Sequence, residues 1–465
     1  MPENKKRRIL WFRRDLRIED NPLLSFEGEV LPIFIFDSEI LDSLERNDRR
    51  VGFIFQTLVK LKTELQQKGL NLALFYGKPV DAFRWLLAGE SYDEVCASGD
   101  YDPYALERDR EISHVLPFHL IHDTYIFRPD EVLKNDGNPY LVFTPFYNQV
   151  KKIFRPEHMQ EYLPARQSLC PFDYDGIHHI RDSYHHISSV SAEAIGFNHL
   201  SLSDFQQCSP RDKLRSFASA LKTYSTDRDY PALNATSHLG VDLRFGTLSI
   251  RALLRWLRDQ KAQGVDTEPY FRQLIFREFY AMLLYHFPHL SYQNFRYPFH
   301  GVENQEYFKA YCSASTGVPI IDAGIRELLE TGEIPNRIRM ICASFFTKNL
   351  LLPWQWGEAF FARHLIDYDA ASNILSWQWS SGTGVDPQPY FRVFNPYVQT
   401  KKFDTKGAYI RKWLPHLDHI DPKILSDERK IFDSSLPHYP RAIVRYKNST
   451  DEAINYFNAC LKQFS

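Results

Sequence analysis

Four segments in the second half of the chain hold residue types that do chemistry together. Between Glu268 and Phe287, Tyr270, Gln273, Phe276, Arg277 and Tyr280 recur at spacings of three and four, so one helix face combines rings, an amide and a guanidinium. Such a face suits a planar ligand with polar edges. Asn336, Arg339 and Met340 share a face of a second helix, with Arg337 turned away from it. Asp367, Asp369 and Asn373 lead into Trp377-Gln378-Trp379, bringing carboxylates, an amide and two indoles together. The carboxylates suit general acid and base work, and equally an ion pair with a nearby arginine. Tyr224, followed by Thr236, Ser237 and Leu239, sets hydroxyls and free N–H groups ahead of a helix. That arrangement suits a phosphate and equally serves as a helix cap.

These segments need helices to position them. Ser249 is an N-cap candidate for Ile250, Leu253, Leu254 and Leu257, which fall on one face, and a further helix over Asn336–Leu352 is stopped by Pro353. The first part of the chain alternates differently. Apolar runs at Arg8–Phe12, Val30–Phe36, Leu70–Tyr76, Glu94–Ala97 and His119–Phe127 read as strands of a parallel sheet wound with helices such as Arg50–Gln67. The expected organisation is an α/β amino-terminal domain with a Rossmann-like parallel sheet (residues 1–130), a long connection (131–209) and a large all-α domain (210–465). No GxGxxG follows the first strand and no GxxxxGK[ST] occurs, which excludes the dinucleotide fingerprint and the P-loop. His178, His179, His185 and His186 read as a solvated linker, because no carboxylate or cysteine accompanies them at ligand spacing, so no metal is expected.

The 465 residues are 44% hydrophobic, 25% charged and 15% aromatic, which excludes a disordered or collagen-like chain. A net charge of −2 gives no global positive field, so nucleic acid would need a local patch. One run offers it. From Arg392 to Lys412, the residues Arg392, Lys401, Lys402, Lys406, Arg411 and Lys412 face a single acid, Asp404, as either a solvated face or a phosphate-binding one. Six scattered cysteines without CxxC spacing suit a reduced compartment, and no apolar run approaches a membrane span. The expectation is a monomer located in the cytoplasm, or in the nucleus of a eukaryote.

At these residues the chain resembles the photolyase/cryptochrome family of flavoproteins. Leu10-Trp11-Phe12-Arg13-Arg14-Asp15-Leu16-Arg17 is similar to the family's opening motif, and Gly137-Asn138-Pro139-Tyr140 with Val142-Phe143-Thr144-Pro145-Phe146 to its next signature. Thr316-Gly317-Val318-Pro319, Asn336-Arg337-Ile338-Arg339-Met340 and Trp377-Gln378-Trp379 running on to Tyr390-Phe391-Arg392-Val393-Phe394-Asn395-Pro396 also match, with a spacing most similar to class I cyclobutane pyrimidine dimer photolyases.

The resemblance implies FAD in the helical domain, contacted by Tyr224, Thr236, Ser237, Leu239, Arg277, Arg339, Asp367, Asp369 and Asn373. It implies light-driven repair of UV-damaged DNA, with Gln273, Phe276, Asn336, Arg337, Met340 and Trp379 at the lesion and Arg392 and Lys401 at the DNA. Trp377 and Trp354 match the proximal and middle members of the family's electron-transfer chain, while Gly301 falls near its surface tryptophan, leaving Tyr297, Tyr307, Tyr311 or Trp356 to substitute. Two positions depart from the dimer-repair pattern: Gln273 stands for a glutamate and Phe276 for a tryptophan. An antenna chromophore (folate, deazaflavin or flavin) is left open, since Tyr104 and Ala105 occupy the place of the folate-binding relatives' polar contacts. The alternative role is a cryptochrome-type blue-light receptor signalling through a protein partner.

Overall fold

A computed structural model of the chain describes residues 6–174, 179–181, 184–186, 192–198, 202, 204–434, 436 and 438–463. Contacts divide the chain into two units: Met1–Pro139 with Tyr147–Arg215 and Ser237–Thr267, and Tyr140–Phe146 with Ser216–Thr236 and Glu268–Ser465.

The first unit is built on a sheet of β1 (Arg7–Phe12), β2 (Gly28–Asp37), β3 (Ala73–Gly77), β4 (Glu94–Ser98), β5 (Phe118–Ile121), β6 (Gln167–Leu169), β7 (His179–Arg181) and β8 (Tyr184–His186). The order is β5-β4-β1-β2-β3-β8-β7, with β6 also paired to β2. Strands β1 to β6 pair in parallel, and β8 joins β3 antiparallel. Parallel strands covered on both faces need apolar side chains at consecutive positions, which is why Ile9-Leu10-Trp11-Phe12 and Val30 to Phe36 are continuous runs. Helices Arg49–Gln67, Pro79–Gly89 and Pro103–Ser113 connect the central strands.

Strand β5 stops at Ile121, well short of the expected Phe127; beyond it the Asp123 carboxylate accepts from Arg17 and the Thr124 hydroxyl donates to the Gly99 carbonyl. The stretch expected to be a connection holds the helix Phe143–Ile153 and three strands of three residues each, too short to show a period. His178 lies outside the described residues.

Ser237–Thr267, expected with the carboxy-terminal helices, clusters instead with the sheet. A buried ion network explains this. Ser249 caps the helix Ile250–Ala262 as expected, accepting from the N–H of Arg251, and its hydroxyl donates to Asp20 at 2.7 Å. Arg251 donates to Asp20 at 3.1 Å and to Asp123 at 2.7 Å, while Arg17 of the opening motif reaches Asp123 at 2.6 Å. Arg14 pairs with Asp100 at 2.6 Å. The arginines of the opening motif thus hold this unit together from within.

The second unit is helical. Its main elements are Glu268–His286, Pro319–Thr331, Asn336–Ser344, Trp354–His364, Ala370–Ser381, Pro396–Phe403 and Tyr446–Gln463. The helix expected to run through Leu352 stays α-helical only to Ser344, and Phe345–Asn349 form a π-turn. There the fully buried Lys348 ammonium donates to the carbonyls of Arg392 at 2.8 Å and Pro389 at 3.3 Å. Burial, with Arg392 nearby, pushes the Lys348 pKa down to about 7.

Burial pushes the Asp123 carboxyl up, but Arg17 and Arg251 outweigh it and hold it below the usual carboxylate range. A depressed carboxylate stabilises the fold above its unfolded pKa, and that contribution is lost as pH falls through the lower folded value. Asp123→Ala leaves two buried guanidiniums without their shared partner, so chemical denaturation at neutral pH is expected to show a loss of about 3–5 kcal/mol. The difference from wild type should shrink as the medium is acidified below pH 4; an unchanged midpoint at neutral pH would remove the network as the fastening of this unit.

Candidate functional site

The site is organised on two antiparallel helices joined by a short turn. Pro353 opens Trp354–His364, since a residue without an N–H fits ahead of a helix, and Asp369 caps Ala370–Ser381 by accepting from the Ser372 N–H at 3.1 Å and its hydroxyl at 2.9 Å. A Cβ on Gly357 would lie 2.3 Å from the Trp377 ring, so only glycine lets the indole settle against the other helix. Phe346 and Phe361 close around Trp377 edge to face, at 5.3 and 5.0 Å. The Trp354 indole N–H donates to Asn294 at 2.7 Å, and both indoles are 2% exposed.

Asn373 donates its amide N–H to Glu358 Oε1 at 2.9 Å and to the Glu358 carbonyl at 3.2 Å. Burial pushes the Glu358 carboxyl up, against the pull of the Asn373 and Tyr368 donors. Because an acceptor holds the nitrogen, the Asn373 carbonyl oxygen is left for a donor elsewhere. Glu358 was missed in the sequence. Its one signal is an acid set in the run Trp356-Gly357-Glu358-Ala359-Phe360-Phe361.

Of the two readings open for the carboxylates, Asp367 takes the ion pair. Arg339 Nη2 lies 3.1 and 3.0 Å from its two oxygens, and Arg339 Nε donates to the Ile334 carbonyl at 2.8 Å. Asp369 is the helix cap. Tyr224 is buried edge to face against Phe217 and Tyr270, at 5.7 and 5.3 Å, with the Arg228 guanidinium over its ring. Arg277 and Thr236 are half-buried. In the first unit, the Ser237 hydroxyl accepts from the Leu239 N–H at 3.3 Å in a turn where His238 has φ +52°.

A cleft opens in the helical unit between Phe276, Tyr280, Trp379 and a residue that sequence reasoning did not place there, Phe143. Phe143 lies flat on Phe276, with centroids 3.4 Å apart and planes 5° from parallel, and Arg272 sits 4.7 Å over it. Asp386 accepts the Phe143 N–H at 3.1 Å. Gln273, Asn336 and Met340 do not line this cleft. Gln273 donates to the Pro269 carbonyl at 3.3 Å, and Asn336 points to the Met340 sulfur at 3.6 Å. Arg337 is turned away as expected, paired with Asp229 at 2.6 Å and stacked over Phe403. Arg392, Lys401, Lys402 and Lys406 are exposed, whereas Asp404 is turned inward onto the N–H groups of Tyr409 and Ile410. Arg411 is engaged by the Ile420 carbonyl at 2.7 Å.

Residues 8–166 match the DNA photolyase domain and residues 270–459 the FAD binding domain of DNA photolyase. The chain belongs to the DNA photolyase family. It is 32% identical to the deoxyribodipyrimidine photo-lyase of Alkalihalophilus pseudofirmus over 97% of each chain, and 32% identical to that of Escherichia coli over 98% of this chain and 99% of the relative. Its fold superposes on a bacterial class III photolyase from Agrobacterium tumefaciens with a TM-score of 0.86 at 28% identity, over 99% of each chain. An archaeal photolyase from Sulfolobus tokodaii with two FAD molecules gives a TM-score of 0.81 at 30% identity, over 97% of this chain and 100% of that one.

The glycine contact is testable without any ligand. Gly357→Ala must push the Trp377 ring or separate the helices, so thermal melting is expected to fall by several degrees, with a shift in tryptophan emission; a melt and emission equal to wild type would show that the contact does not fix the indole.

Proposed function

We infer that this chain is a deoxyribodipyrimidine photo-lyase, which uses light absorbed by reduced FAD to split cyclobutane pyrimidine dimers in UV-damaged DNA. The observation that carries this reading is the helix pair Trp354–His364 and Ala370–Ser381, which holds two sealed indoles beside an oriented amide and next to the Arg339–Asp367 pair.

The donor set fits a flavin. Arg339, Asp367 and Asn373 would hold its ring, with Tyr224, Thr236, Arg277 and Asp369 as further contacts to the cofactor. Bound FAD supplies the light-driven electron that opens the dimer and takes that electron back. The protein groups do the rest. The Asn373 carbonyl oxygen, its amide fixed by Glu358, would accept a hydrogen bond from a ring N–H. The Arg339 guanidinium, kept in place by Asp367, would stabilise negative charge on the ring edge. Trp354 and then Trp377 would relay electrons inward to a cofactor that starts oxidised.

In this reading Trp379 and the Phe276–Phe143 stack would offer flat surfaces to a flipped-out lesion, while Gln273, Asn336 and Met340, outside the cleft lining, would meet only what extends beyond it. Arg392 and Lys401 of the exposed basic run take phosphates. An antenna chromophore belongs to the α/β unit, by analogy with the archaeal relative that holds two flavins.

Trp377→Phe is expected to slow photoreduction of the oxidised flavin by at least tenfold while dimer splitting by chemically reduced protein survives, followed by flavin absorbance and by dimer loss; equal photoreduction rates would show that another route carries the electron. Phe276→Trp is expected to tighten binding to dimer-containing DNA by no more than about 1–3 kcal/mol, the value of one stacked base, because Phe143 already backs that ring. Fully reduced protein that binds dimer-containing and undamaged DNA equally, and splits no dimers in light, would overturn the repair reading in favour of a blue-light receptor.

A further inference from the structure

The π-turn after Ser344 places a cation beneath the exposed basic run. In it the Leu350 N–H reaches back five residues to the Phe345 carbonyl at 2.9 Å, and Lys348 is 0% exposed. The Lys348 ammonium donates to the carbonyls of Arg392 at 2.8 Å and Pro389 at 3.3 Å. These are the last and first residues of a four-residue turn, which closes through the Arg392 N–H on the Pro389 carbonyl at 2.9 Å. Gln388 bonds the same Arg392 carbonyl with its amide at 2.9 Å, and its own N–H donates to the Trp379 carbonyl at 3.1 Å, so the turn is tied to the wall of the cleft. The turn carries the Arg392 side chain to solvent.

Folding alone does not call for a cation here. The turn already has its own hydrogen bond and the Gln388 amide, and a buried ammonium without an acid is a costly way to satisfy two carbonyls that a neutral donor could serve. What a neutral donor cannot do is respond to charge. Burial, and then Arg392, bring the Lys348 pKa down to about 7, and among the described residues Arg392 is the charged group that acts on the ammonium. The helices packed around the π-turn send their charges elsewhere. Ala370–Ser381 has none, Arg337 and Arg339 of Asn336–Ser344 pair with Asp229 and Asp367, and Glu358 of Trp354–His364 is taken by Asn373, while Arg363 is exposed and His364 packs on Phe360. On Tyr446–Gln463, Lys447, Asp451, Glu452 and Lys462 are exposed, Cys460 packs with Phe299 and Phe457, and burial pushes the Tyr446 and Tyr456 phenols up, so they stay neutral.

We propose that Lys348 is the positioning residue of a proton-coupled DNA contact: its ammonium holds the Pro389–Arg392 turn so that Arg392 is offered to a phosphate, and docking of that phosphate draws a proton onto Lys348. The charges balance. A phosphate on Arg392 offsets the positive charge that disfavours the ammonium, so the protonated form gains in the complex; the proton comes from solvent onto Nζ and returns to solvent when the DNA leaves. Affinity is then highest where the amine is already protonated, and is lost as pH rises from the free value of about 7 toward the higher value in the complex.

The test uses the full chain with its flavin and a labelled duplex carrying one cyclobutane dimer, in darkness and at fixed salt. Wild-type affinity, read by fluorescence anisotropy, is expected to fall at least threefold between about pH 6.5 and about pH 8.5, and calorimetry in buffers of different ionisation enthalpy should show proton uptake on binding in that range. Lys348→Met is expected to bind at every pH with the affinity that wild type has at the upper end, without slope and without proton uptake. Arg392→Gln, a change at an exposed side chain, is expected to bind more weakly and to lose the slope too, so a result is reached even if Lys348→Met does not fold. A level wild-type affinity across that range, or a slope that survives in either variant, would overturn the proposal. Because DNA meets this surface only under the repair reading above, light-driven dimer splitting at saturating DNA is measured beside it: splitting together with a level binding profile overturns the proposal alone, whereas a chain that binds no DNA at any pH overturns both.

Discussion

A tryptophan ring lying on a glycine holds the functional half of this protein in place. Without a side chain at Gly357, the Trp377 indole sinks against the neighbouring helix, and the two helices come close enough for Glu358 on one to hold Asn373 on the other. Trp354 sits one turn before the glycine and Trp379 two residues beyond the indole, so both inherit their positions from the same contact. Asp367 and Asp369 lie in the turn between the helices, where one meets Arg339 and the other starts the second helix. A single close packing thus fixes groups whose chemistry is unrelated: two sealed indoles, an oriented amide, an ion pair and a third indole at the cleft. This is the preorganisation that a flavin site needs, since the groups must already be aimed when charge moves.

The sequence made the faces legible but not their partners. Helical spacing put Gln273, Phe276 and Arg277 on one side of Glu268–His286, and the parallel-sheet runs foretold β1 to β4 within a few residues. Phe143 stayed hidden because it arrives from far up the chain, and no local period announces a ring that stacks on another element. Nothing in the sequence separates Glu358 from the solvated acids that most helices carry. The opening Arg-Arg-Asp motif carried the resemblance, yet its arginines pair within the sheet unit, so a signature segment turned out to serve the fold. Gln378, set between the two indoles, is likewise structural: it is fully buried and donates to the Leu290 and Gln293 carbonyls.

Charge follows the same division between local and global. The chain is nearly neutral overall, and the positive character of the Arg392–Lys412 run comes from turning its one acid inward. Behind that run, Lys348 buries a cation on two backbone carbonyls without an acid partner. Its lowered pKa means that the charged form is the costly one, so stability contributed by this site rises with pH from about 7 toward the ordinary lysine value. The same two carbonyl contacts hold the Pro389–Arg392 loop, whose Arg392 side chain is exposed.

Of the two departures from the dimer-repair pattern, Phe276 lines the cleft and Gln273 lies outside its lining. Gln273 is neutral at every pH, and Tyr280, which lines the cleft, is pushed up to about 12 by burial, so it stays neutral as well. Where a glutamate would change its hydrogen-bonding role as it titrates, the amide donates and accepts in one fixed state. The same substitution removes the ability to pass a proton. Phe276 lacks the area of an indole, but Phe143 lies flat behind it and Arg272 covers the pair, so the wall is thicker than one phenyl ring. The lining is therefore mostly flat apolar surface, with Arg272 and Asp386 as its charged groups.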